Sequence, residues 1–235
     1  MRRVTSLIAL ILILGKVALF SQDINKVDAH GRKQGVWIKK YNAEKIKYEG
    51  FFVDDIPSGT FLHYYDNGNL QAEVSYHENG KESSAILYNE EGKRMATGKY
   101  IDQKKEGEWL YYNENTQLLR MRERYEKGVP KGEWIIYHDD GRTPSERENW
   151  VKGKKEGLQI SYFDNGQIKQ EINYQNGIPE GPVKYYHKNG KIRGTGQYID
   201  HKKEGIWTYY DEEGKITVTD HYEKGEIIEN DEKER

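Results

Sequence analysis

Gly205-Ile206-Trp207-Thr208-Tyr209-Tyr210-Asp211-Glu212-Glu213-Gly214-Lys215-Ile216-Thr217-Val218-Thr219-Asp220-His221-Tyr222-Glu223-Lys224-Gly225 is one copy of a pattern that recurs along nearly the whole chain. Its order is a starting Gly, an aromatic, a turn Gly and a second aromatic. The starting glycines are Gly35, Gly59, Gly107, Gly132, Gly157, Gly181 and Gly205, and Ser83 stands in that place in the third unit. Their spacings are 24, 24, 24, 25, 25, 24 and 24 residues. A period this regular over eight units identifies a repeat array in which each unit buries its face against its neighbours. Residues 28 to 34 resemble the end of a preceding unit and are expected to cap the array.

Within each unit the residue types specify strands. An aromatic lies two positions after the start in Trp37, Phe61, Trp109, Trp134 and Trp207. A tyrosine lies five after it in Tyr64, Tyr88, Tyr112, Tyr137, Tyr162, Tyr186 and Tyr210. A turn Gly then follows, often after Asn or Asp, as in Asn67-Gly68 and Asn165-Gly166, and this dipeptide between segments rich in aromatic and β-branched residues is a hairpin signal. The second segment ends in Phe52, Tyr76, Tyr100, Tyr125, Trp150, Tyr174, Tyr198 or Tyr222, and a linker such as Asn176 to Gly181 returns the chain. Glycines recur too often for helices of ordinary length, since each interior Gly costs a helix roughly 1 kcal/mol. Thr116 to Lys127 has no Gly but occupies the place of a second strand, and is read as one.

A two-residue turn at Asn-Gly sets Tyr174 across from Gly157, Ile172 across from Gln159, Tyr76 across from Gly59 and Val74 beside Phe61. Each starting Gly would then be covered by an aromatic, which gives it a packing role. Alternation sorts the side chains. The Trp column, Leu70, Val74, Ile168, Ile172 and the terminal aromatic column share one face, and Tyr64, Tyr112, Tyr162 and Tyr210 lie on the other. The expected fold is all-β: an elongated single-layer antiparallel meander of eight two-stranded hairpin repeats after an N-terminal signal helix. Sixteen strands at about 4.8 Å would span on the order of 75 Å before twist.

Composition agrees with that economy. The chain of 235 residues is 32% charged and 35% hydrophobic, with a mean hydropathy of −1.02, so a thick aliphatic core is out of reach. Its 19 Tyr, 5 Trp and 5 Phe, evenly spaced, are the wrong composition for a disordered chain. The formal charge of −2 is nearly balanced and no basic stripe points to nucleic acid. The absence of Cys excludes a disulfide framework, a thiolate zinc site and a lipid-modified cysteine.

Met1-Arg2-Arg3, the apolar run from Leu7 to Leu14 and the stretch Leu19-Phe20-Ser21-Gln22 have the layout of a secretory signal over residues 1–22. The alternative is an uncleaved membrane anchor over residues 4–20, against which Lys16 leaves fewer than the roughly 20 apolar residues a span needs. Cleavage would remove Arg2, Arg3 and Lys16 from 37 basic groups and none of 39 acidic ones, leaving a charge of −5. The expected product is an exported protein, periplasmic, cell-envelope or extracellular, with a repeat array over residues 23–228. An acidic tail over residues 229–235 would follow, and residues 226–235 are expected to fray and guard the edge.

The pattern Gly-x-Trp-x-x-Tyr-Tyr, as at Gly107 to Tyr112 and Gly205 to Tyr210, resembles the MORN repeat. With Asp-Asn-Gly turns at Asp164 to Gly166 and the Asn-Gly-x-Pro-x-Gly linker at Asn176 to Gly181, it looks like the bacterial YwqK-type variant grouped as the antitoxin component of toxin-antitoxin systems. The resemblance covers about residues 28 to 228. It implies hairpins in an elongated sheet, and a role in protein–protein or membrane association.

No catalytic constellation stands out. His30, His63, His77, His138, His187, His201 and His221 show no metal spacing and no Ser nucleophile motif. The acidic turns Asp54-Asp55, Asp139-Asp140 and Asp211 to Glu213 lack the order of a calcium loop. No cofactor is expected, and no metal. The residues expected to bind a partner are Tyr64, Tyr88, Tyr112, Tyr137, Tyr162, Tyr186 and Tyr210, because rigid amphipathic rings suit recognition. A protein partner, a toxin or an envelope protein, is the first expectation, and membrane lipid or envelope glycan the alternative.

Overall fold

The computed structural model describes residues 24–232. The expected signal segment lies outside them. One open sheet of twenty strand segments runs through the described chain, each paired antiparallel with its sequence neighbour. The units are hairpins: Lys33–Lys40 with Ile46–Val53, Ile56–Tyr64 with Leu70–Tyr76, Glu82–Tyr88 with Arg94–Ile101, and Lys104–Tyr112 with Leu119–Glu126. In the fifth and sixth units the first strand is broken, into Val129–Pro130 and Gly132–Tyr137, and into Lys154–Lys155 and Gly157–Tyr162. Their second strands are Pro144–Val151 and Ile168–Gln175. Ile178–Tyr186 with Ile192–Ile199, and Lys202–Tyr210 with Ile216–Glu223, complete the eight. The Gly-free stretch after Thr116 is indeed strand, from Leu119 to Glu126. The one helical piece among the described residues is the short 3-10 turn Glu78–Gly80.

Two further strands flank the sixteen. Lys26–Val27 pairs with Lys33 and Gln34, and beyond it the Asn25 side chain takes the place of more strand. Its amide accepts from the Ile38 N–H at 2.8 Å and donates to the Ile38 carbonyl at 3.1 Å. At the other end Glu226–Glu232 is a full strand on Ile216–Glu223, where fraying was expected. The acids there do not prevent pairing, because the Asn230 amide donates to buried Asp220 at 2.7 Å and the backbone ladder continues to Val218.

The register follows the expected pairs: Gly157 faces Tyr174, Gln159 faces Ile172, Gly59 faces Tyr76 and Phe61 faces Val74. The turns that set it are different. In the hairpin turn of the sixth unit the Gly166 N–H donates to Phe163 at 2.9 Å and the Phe163 N–H to Gln167 at 2.8 Å. Only Gly166 has positive φ, at 82°, and Asn165 does not, so three residues form the loop rather than two. A bulge between Ser161 and Tyr162 then restores the pairing. It also sets Leu70 opposite Tyr64 and Ile168 opposite Tyr162, in line with the tyrosine column rather than the Trp column. Two-residue turns with both φ values positive lie at the linkers, as in Asn176-Gly177 at 53° and 86° and Lys224-Gly225 at 51° and 91°.

The starting glycines are not covered by aromatics. A methyl group added at Gly59, Gly107 or Gly157 would meet nothing within 4 Å, but their φ values of 69°, 65° and 81° are what only Gly adopts without strain. They allow the register shift between successive units, for example between Ile172 and Tyr174. Where Ser83 replaces Gly, Leu70–Tyr76 pairs with Glu82–Tyr88 without any shift. Aromatic cover falls instead on Gly50, Gly98 and Gly196, whose added methyl groups would lie 2.4, 2.3 and 2.2 Å from the rings of Phe61, Trp109 and Trp207.

The buried residues lie mainly on the Trp face, in two clusters. Ala85, Ala96 and Trp109 form one, with Tyr100, Tyr111 and Tyr125 against it. Ile172, Val183, Trp207 and Tyr222 form the other. Trp109 and Trp207 are fully buried, and at about 25 cal/mol per Å² a ring system of roughly 200 Å² contributes on the order of 5 kcal/mol before entropy. A few buried rings therefore do the work of a core in a single layer.

Candidate functional site

The tyrosine column lies on the face opposite the Trp residues, as alternation requires. Its rings are half-buried and several hydroxyls are engaged by the preceding unit. Tyr64 donates to Glu49 at 2.6 Å, Tyr88 to Glu73 at 2.8 Å and Tyr186 to Glu171 at 2.8 Å. Burial, with the neighbouring carboxylate, raises the Tyr64 and Tyr186 phenols to about 12. Tyr112 lies 3.9 Å under the Arg94 guanidinium. Tyr137, Tyr162 and Tyr210 keep the same strand-end place, and the carbonyls of Tyr162 and Tyr210 are held by His138 and His187 at 3.3 and 2.8 Å. The column is thus a rigid row of ring edges.

Between the tyrosines run Leu62, Ile86, Leu110, Ile135 and Ile160, of which Ile135 is fully buried. At the linker edge Val53, Ile56, Ile101, Val129, Val151, Ile178, Ile199 and Ile227 are each more than two-fifths exposed. They flank the linker turns, so the array presents one apolar residue after another along one rim.

The Trp face holds a feature that the residue types did not reveal. Lys105 lies over the rings of Trp109, Tyr111 and Tyr125 at 4.7, 5.1 and 4.9 Å, and Lys203 over Trp207 and Tyr222 at 4.2 and 4.6 Å. A buried acid faces three of the Trp residues across the hairpin: Glu123 opposite Trp109, Glu148 opposite Trp134 and Asp220 opposite Trp207. The aromatic two residues on satisfies it, with Tyr125 donating to Glu123 and the Trp150 indole to Glu148, both at 2.7 Å. Burial and Glu123 push the Tyr111 phenol far up, and burial holds Lys105 below its ordinary value. The recurrence of Lys33, Lys105, Lys155 and Lys203 two places before a starting Gly was the available signal. It reads as a solvated charge run until the fold brings the rings around it.

The middle of this face is polar. Lys155 contacts Glu148 closely and reaches Glu146 at 3.7 Å. Burial, then its hydrogen bond to Glu148, raises the Glu146 carboxyl. Gln159 is 8% exposed and its carbonyl oxygen has no hydrogen-bond partner. These groups are locked to one another and interrupt the apolar stripe between the two buried clusters.

The repeat geometry is matched by known sequences. Four of the units match the MORN repeat variant. They are residues 57–78, 155–176, 179–200 and 203–224. The units outside these MORN-variant matches are those that depart locally. The third lacks the starting Gly, the first has no turn Gly between Tyr41 and Lys45, and the fourth and fifth carry an extra turn residue, closed by Asn113 to Leu118 and His138 to Thr143. No curated protein matches the chain. Among solved structures, S. aureus TarM aligns at 13% identity over 51% of this chain and 20% of that one, with a TM-score of 0.24. A TarM mutant in complex with Fondaparinux, alpha-GlcNAc-glycerol and UDP aligns at 13% identity over 52% of this chain and 19% of that one, with a TM-score of 0.25. This chain spans about a fifth of their length, and no argument rests on scores so low.

Proposed function

We propose that this chain is an exported, non-enzymatic scaffold that binds a protein, and that its partner is a toxin or an envelope protein. The observation that carries the reading is the tyrosine face with its apolar rim: a half-buried row of rings, three of them held by carboxylates, and a line of exposed aliphatic residues beside it. Rigid aromatics bind at little entropic cost, and exposed apolar residues gathered along one rim are a surface for a partner. The antitoxin-like role comes from the resemblance to the YwqK-type variant. The MORN-variant matches agree with the broader reading, since such repeats are often protein- or lipid-binding.

Affinity capture from periplasmic extract and culture medium tests the proposal. A stoichiometric protein complex is expected. Capture of no protein, together with binding to liposomes or envelope glycan, would replace the reading with the lipid or glycan alternative.

A further inference from the structure

At the rim of the fifth unit, where its flanking linker turns lie side by side, Val129, Pro130, Gly132, Trp150 and Val151 line an open trough of about 800 Å³. Its lining is mostly apolar, and Val129 and Val151 are 44% and 45% exposed. The first strand of this unit is interrupted at the trough: Val129–Pro130 and Gly132–Tyr137 are separate pieces, and the Lys131 N–H turns to the Arg124 carbonyl at 3.0 Å.

Charge brackets the trough. Lys127 opens one linker turn and Lys152 the next, both with φ of 51°, and among the described residues neither ammonium has an acidic partner. Of the other charged groups there, Glu126 and Lys131 are paired with each other, and the Glu106 carboxylate accepts from the Lys127 N–H at 2.7 Å. Each turn joins neighbouring strands and the two turns lie two strand spacings apart, so the backbones that carry the two lysines stand about 10 Å from one another. Elsewhere the same rim carries Asp54-Asp55, Asp102 and Asp200 at its turns, so this is a basic stretch of it.

We propose that this trough docks an extended acidic segment of the protein partner, with an apolar residue seated on Val129 and Val151 and acids on either side reaching Lys127 and Lys152. This inference rests on the scaffold reading and names the partner's chemistry. The trough is open on one side, so an apolar group is held there only if a larger body carries it. Acids four residues apart, with an apolar residue midway between them, share one face of an extended chain and lie about 13 Å apart at about 3.3 Å per residue, within reach of two flexible lysine side chains rooted about 10 Å apart.

The test uses the full chain and a fluorescent peptide in which Asp-Ser-Leu-Ser-Asp is set in a neutral Gly/Ser background. Lys-Ser-Leu-Ser-Lys and Asp-Ser-Ser-Ser-Asp peptides serve as controls. Saturable binding of the first is expected, weakened at least tenfold for both controls and for the Lys127→Glu/Lys152→Glu and Val151→Ser variants, and weakened by added salt. Circular dichroism checks that the variants keep the sheet. Absence of binding, or equal binding of Lys-Ser-Leu-Ser-Lys, overturns the docking proposal. Captured partner that the same variants release supports it. Partner retained undiminished by those variants removes the trough from the interface and leaves the scaffold reading standing.

Discussion

At the scale of single residues, glycine has two distinct duties here, and they differ in cost when lost. Gly98 lies beneath the fully buried Trp109 ring, and a methyl group would sit 2.3 Å from it. Gly107 has open space around it but a φ of 65°. Gly98→Ala is expected to destabilise by about 3 kcal/mol, the upper end of overpacking, and Gly107→Ala by about 1 to 2 kcal/mol of left-handed strain. Urea unfolding of the two variants checks the order, and an equal loss would refute it. The carboxyl pair offers a second test. Glu146 has a raised pKa in the folded state, so the stability it contributes is fully present below its ordinary pKa of 4.5 and is lost as pH rises through the folded value. Glu146→Gln puts a neutral group beside Glu148 and is expected to raise the melting temperature relative to the parent at pH 7 but not at pH 4. A difference independent of pH would show that the Glu146 carboxyl is not raised. Lys155 and Gln159, which face the pair, are unchanged in that comparison.

At the scale of elements, the linker turns explain a motif that composition reads as mere surface charge. The acid before the starting Gly accepts from the first N–H of the next linker turn: Glu106 from Lys127, Glu156 from Asn176, Glu180 from Asp200 and Glu204 from Lys224, at 2.7 to 3.0 Å. Gln34 does the same for Asp54 at 3.3 Å. Glu204→Ala is therefore expected to cost about 1 kcal/mol and Glu204→Gln much less, by thermal unfolding. The Asp200-His201 turn has φ values of 48° and 59° without a Gly, and His201→Gly is expected to stabilise the chain by about 1 kcal/mol. A destabilised variant would mean that the His201 side chain has a role the backbone does not show. The strand pairs were legible in the residues, because Gly157 with Tyr174 and Gly59 with Tyr76 follow from the distance between glycine and aromatic. The turn type was not. A three-residue loop with a bulge gives the same pairing along most of the hairpin as a two-residue loop, and only Leu70 and Ile168 report the difference.

At the scale of the whole molecule, the period and the two faces could be read from Gly and aromatic positions alone, since each unit repeats the same local chemistry. The lysine–aromatic–carboxylate clusters could not, because their members come from separate strands: Lys203 meets Tyr222 only across the closed hairpin, and Asp220 meets Asn230 only when the flanking strand adds to it. The same stacking leaves the tyrosine column on one face and an apolar rim beside it. The central claim is that a protein partner is bound there. Hydroxyl-radical footprinting of the captured complex, read by mass spectrometry, tests it most directly. The account expects protection of Tyr64, Tyr88, Tyr112, Tyr137, Tyr162, Tyr186 and Tyr210 and of the rim at Val129 and Val151, with Trp37 and Trp134 unchanged. Protection confined to the Trp face, with the tyrosines as reactive as in the free chain, would contradict it.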